Sequence, residues 1–117
     1  MTQRIYQPDI RPIKEGGDLY ELWETYSFEL NGDLYVIMAG FRYDGATGAR
    51  YLFQRDGIHR AACLVHDWLY VTQPSGVTRK DADGLFRDML IQAGVKSWHV
   101  NIAYWAVRLF GGFYWRK

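Results

Sequence analysis

His66 and Asp67 stand side by side in AACLVHDWLY, residues 61–70, where the other eight residues are apolar or aromatic. An imidazole can take or give a proton near neutral pH, and a carboxylate can orient it or hold a cation. Left without partners in apolar surroundings, such groups cost several kcal/mol. On a helix His66 shares its stripe with Ala62, Cys63, Leu69 and Tyr70, while Asp67 is flanked by Leu64, Tyr70 and Val71. Neither has a basic neighbour at helical spacing, so their partners must come from elsewhere in the chain.

Two partners are available. Asp83 sits beside Ala82 in a second segment of helical period, with Phe86 and Leu90 on its own stripe. A short connection favours antiparallel packing of the two helices, which brings Asp83 to His66, and Gly84 is read as the residue that lets them approach. A carboxylate there fixes the imidazole tautomer and raises its basicity. The other partner is Asp44, in a loop rich in glycine. Asp44, Asp67 and loop carbonyls would form an oxygen-only site suited to calcium, which would explain a charged Asp67 in an apolar segment. Beside these stand plainer readings. His66 is a satisfied core histidine, Tyr70 packs with its hydroxyl hydrogen-bonded, and Arg79, Lys80 and Arg87 form a solvated helix face.

The elements that must position these residues divide the chain in two. In YELWETYSFEL, Leu22, Tyr26, Phe28 and Leu30 fall on one face, with Trp23, Thr25, Ser27 and Glu29 opposite, the alternation of a strand. Asn31-Gly32 is a hairpin turn and LYVIM the returning strand. AGFRYDGATGAR is an irregular loop. Three helices follow. The first spans about His59 to Val71 and, being apolar on nearly every face, should be central. The second opens at Thr78, with Asp81 as the partner in a capping box, and stops at Gly94. The third opens near Ser97 and runs to Gly111 and Gly112, with Trp98, Trp105 and Trp115 read as core. The layout is α+β: an N-terminal β-hairpin followed by a three-helix core. With no repeat or linker, residues 1–117 read as a single domain, 1–40 the hairpin region and 41–117 the loop and helices.

The 117 residues are 49% hydrophobic, enough for a packed core. A net charge of +1 speaks against a nucleic-acid binder. One cysteine, Cys63, excludes an internal disulfide and fits a reducing compartment or a disulfide-free phage or bacterial protein. No signal peptide is evident, and no run of about 18 apolar residues is present to span a bilayer.

LVHDWLY, TRKDADGLFRDM and AYWAVRLFGG, taken in order, resemble the catalytic helix pair and trailing aromatic helix of bacterial secreted phospholipase A₂. GFRYDGAT, AACLVHDWLY and RKDADGLF are also similar to a family of small uncharacterised proteins encoded by phages and prophages, over Phe41 to the C-terminus. The resemblance implies a phospholipase-like core and, residue by residue, a set of roles. His66 is the general base for water attack on an ester carbonyl, Asp83 orients it, and Tyr70 supports that carboxylate. Asp44, Asp67 and the Gly45 carbonyl hold calcium. The chain departs from these patterns in lacking disulfides and in carrying Tyr43 and Ala49 beside the loop.

The expectation is therefore a phage or prophage phospholipase-like hydrolase, calcium-dependent, acting on a phospholipid or other lipid ester. The alternative is a non-catalytic protein on the same scaffold, binding a phage structural component or a host protein. Either would reside in the host bacterial cytoplasm or the virion.

Overall fold

The computed structural model describes residues 10–13, 19–43, 60–113 and 115. Five strands come first: β1 (Ile10–Ile13), β2 (Leu19–Leu22), β3 (Tyr26–Leu30), β4 (Asp33–Ile37) and β5 (Arg42–Tyr43). Three helices follow, α1 (Arg60–Thr72), α2 (Arg79–Gln92) and α3 (Ser97–Phe110), and a 3₁₀ turn at Gly111–Phe113 ends α3. The α+β layout read from the sequence is the one observed.

The segment read as one strand is two. YELWETYSFEL breaks at Trp23–Thr25, and its halves enter different sheets. β2 is the middle strand of an antiparallel β1-β2-β5 sheet, with Ile10 opposite Leu22 and Tyr20 opposite Tyr43. β3 and β4 form a two-stranded hairpin in which Phe28 faces Tyr35. Asn31 (φ 55°) and Gly32 (φ 85°) supply the two positive φ values of its turn. Leu22, Tyr26, Phe28 and Leu30 are buried, while Trp23, Thr25, Ser27 and Glu29 are exposed; the break shows at Glu24, an inward position of the alternation that is exposed. Trp68 of α1 meets both Phe28 and Tyr35, at ring-centroid distances of 5.7 and 6.1 Å, and so joins the hairpin to the helices.

α1 is buried at Ala61 to Asp67 and again at Leu69 and Tyr70, as befits a helix apolar on nearly all sides. It ends where Gln73 (φ 46°) turns left-handed. α2 starts on the expected capping box: the Asp81 amide donates to Thr78 Oγ1 and the Thr78 amide to Asp81 Oδ2, both at 3.0 Å. It closes in a Schellman turn, Val95 N–H to the Leu90 carbonyl and Gly94 N–H to that of Ile91, with Gly94 at φ 90°. α3 packs on α2 through Val100, Ala103 and Val107, the buried residues of that helix. Two expectations fail here. Trp98 and Trp105 are exposed, not core, because α3 buries only one side; Trp115 alone of the three is partly buried. A Cβ at Gly84 would meet nothing within 4 Å, so that glycine does not mediate helix approach.

Candidate functional site

Packing of α1 on α2 brings His66 to Asp83, with Nε2 2.7 Å from Oδ1. Tyr70, one turn on from His66, donates its hydroxyl to the same Oδ1 at 2.7 Å. The other carboxylate oxygen accepts from Arg108 Nη1 at 2.9 Å, and Arg79 Nε stands 3.9 Å away. Both His66 and Asp83 are wholly enclosed, and the imidazole lies between the rings of Tyr70 and Phe86, with centroids at 4.4 and 4.7 Å.

Arg79 is the residue that sequence reasoning placed in solvent, and it is instead half-buried. Its Nε donates to the Tyr70 hydroxyl at 3.3 Å, and its Nη2 reaches the carbonyls of Val107 (3.1 Å) and Arg108. Those carbonyls lie in the last turn of α3, where backbone acceptors run short of partners; that of Val107 also receives the Gly111 amide. Arg79 therefore ties the start of α2 to the end of α3. Arg108 was missed altogether. The signal for it was present, since it is the one charged residue of α3, and a lone cation in an apolar helix calls for an anion.

The electrostatics follow from these contacts. Burial pushes the Asp83 carboxyl up, but hydrogen bonds from His66, Tyr70 and Arg108 outweigh it and hold the group below the usual carboxylate range. Burial dominates at His66 and lowers its pKa below 6.5, against the pull of Asp83 in the other direction. Asp83 is thus an ionised acceptor and His66 a neutral imidazole. An ionised carboxylate can only accept, so Nε2 carries the proton and Nδ1 the lone pair. Nδ1 is buried and has no hydrogen-bond partner among the described residues. Burial, then the hydrogen bond to Asp83, raises the Tyr70 phenol well above its ordinary value. Its proton stays in place as a donor.

Of the proposed calcium ligands, Asp67 is buried on α1, while Asp44 and Gly45 lie outside the described residues. Among the described residues no group of three or more His, Cys, Asp or Glu side chains gathers. Calcium takes six to eight oxygens, so the one carboxylate described does not fit that ion by itself.

The fold and this site define a small α+β protein built round a buried His–Asp–Tyr cluster braced by two arginines. The chain belongs to the family described as "Protein of unknown function (DUF1353)", which matches over residues 20–107. That match starts in β2, so β2 to β5 fall within the matched residues along with the helices, while β1 precedes them. No curated protein and no solved structure matches the chain. Among the described residues no helix is long and apolar enough to cross a membrane.

Proposed function

We propose that His66 is the general base of a hydrolase that cleaves a carboxylic ester of a phospholipid or related lipid, with Asp83 as its orienting partner and Tyr70 as support. One observation carries this reading: a buried Nδ1 that bears the lone pair and has no partner among the described residues, on a ring whose other nitrogen is pinned by Asp83. A nitrogen so held can take the proton of a water attacking an ester carbonyl, and Asp83 stabilises the imidazolium that forms. The lowered pKa leaves the imidazole unprotonated at neutral pH, and so free to accept a proton, though as a weaker base. The resemblance of the His66 and Asp83 segments to bacterial secreted phospholipase A₂ supports the substrate class. Resemblance to proteins of phages and prophages supports an origin there, with action in the host cell or from the virion. Asp44, Gly45 and Asp67 enter as calcium ligands to be tested by titration.

A second reading is favoured by the enclosure of His66 and Asp83. In it the same network is a tie between α1, α2 and α3, and the protein works by binding a phage structural component or a host protein. Fatty-acid release from mixed micelles, with calcium and with chelator, separates the two. Calcium-dependent release by the wild type that vanishes in His66→Gln supports the hydrolase. Equal background rates for both, with His66→Gln still folded by circular dichroism, leave the binding protein. Absence of calcium binding by calorimetry removes the metal from the first reading.

A further inference from the structure

α3 is apolar on two opposite sides. One carries Val100, Ala103 and Val107 into the core. The other presents Trp98, Ile102, Trp105 and Leu109, which are 61%, 48%, 58% and 69% exposed. These four follow one another at intervals of four, three and four residues, the a/d spacing of a helix-pairing seam. Between them lies a shallow apolar groove lined by Asn101, Ile102, Trp105, Ala106 and Leu109.

We propose that this face pairs with the same face of a second copy of the chain, α3 against α3 in antiparallel orientation about a two-fold axis. The residues themselves select the occupant. With the axis midway between Ala103 and Tyr104, Trp98 lies opposite Leu109 of the second copy, Ile102 opposite Trp105, and Asn101 opposite Ala106. Every layer then joins one large side chain to one smaller one, and the set of positions maps onto itself, as a two-fold interface demands. Parallel pairing would instead stack Trp98 on Trp98 and Trp105 on Trp105, leaving the layers uneven. No acidic or basic residue stands on the seam, and a net charge of +1 per chain sets up little repulsion between copies.

The area suffices. Two half-exposed tryptophans and two aliphatic residues offer roughly 500 Å² per copy, so a pair would bury about 1,000 Å², the lower bound of a specific interface. The pairing does not rest on any catalytic role for His66.

The test is the solution mass of the full chain by sedimentation equilibrium, from low to high micromolar concentration. The expected result is a species of twice 13.7 kDa. Ile102→Glu and Trp105→Lys, both exposed substitutions, should each reduce the mass to that of one chain while circular dichroism stays unchanged. Mixed in equal amounts, they should return to the dimer mass, because the new glutamate faces the new lysine only in the antiparallel register. A wild type that is monomeric throughout overturns the proposal, as do single variants that remain dimeric or a mixture that stays monomeric. A monomer that floats with phosphatidylcholine–phosphatidylglycerol vesicles assigns the face to a lipid surface and overturns it equally.

Discussion

Asp83 accepts three hydrogen bonds, from His66, Tyr70 and Arg108, in a place without solvent. Such a carboxylate is stable only as part of its set, since removing one partner of a buried charge leaves the others uncompensated. Asp83→Asn keeps the shape, cancels the charge, and turns an amide towards Arg108. The expected outcome is a loss of about 2–4 kcal/mol in denaturant unfolding. His66 should also move to a still lower pKa by NMR, because both contributions of Asp83 raise it. A variant as stable as the wild type, or one whose His66 titrates higher, would refute the network as described. The His66–Asp83 contact was legible because two polar residues on facing apolar stripes leave each other few alternatives. The arginines were not. Arg79 looks like any first-turn surface cation, and its acceptors are backbone carbonyls that no side-chain pattern displays.

Between elements, two glycines that look alike in sequence have opposite roles. Gly111 ends α3 against α1: a Cβ there would collide with the Tyr70 hydroxyl and approach its Cζ to 3.1 Å. Tyr70 cannot give way without leaving Asp83 and the edge of Trp115, whose ring centroid is 5.0 Å off. Gly84 sits in α2 with open space beside it. Gly111→Ala is therefore expected to destabilise by about 1–3 kcal/mol through overpacking. Gly84→Ala should stabilise by about 0.5–1 kcal/mol, as alanine does in a helix interior. Thermal unfolding of the two variants reads both signs, and equal shifts would sink the account. Helices and caps were the legible part of the fold, because Thr78, Asp81 and Gly94 mark their positions by local chemistry alone. The break at Trp23–Thr25 was not, although Glu24, at an inward position of the alternation between Leu22 and Tyr26, marks it: that residue is exposed and the pairing partner changes there. The exposure of Trp98 and Trp105 was hidden as well. A helix apolar all round reads as buried, and sequence does not distinguish a second face packed inside the chain from one kept for another molecule.

Across the whole molecule, the buried cluster joins α1, α2 and α3, so its titration should set how stability varies with pH. The folded His66 has a pKa lowered from 6.5, while the unfolded chain takes up that proton near 6.5. Between the two values the unfolded state binds more protons, so stability rises with pH there. The contribution is complete above about 6.5 and is lost as pH falls towards and through the folded value, by up to about 1.4 kcal/mol per pH unit. Asp83, lowered from 3.8, adds a second loss of the same sign further into acid. The two together predict a protein of level stability near neutrality that weakens in two stages as it is acidified. His66→Gln should abolish the first stage and retain the second, which separates His66 from the exposed titrating groups. Denaturation midpoints measured from about pH 8 down to about pH 3, in steps spanning both ranges, give the profile. Stability that grows between neutrality and pH 5, or a first stage that survives in His66→Gln, would show that the imidazole is not buried in its neutral form.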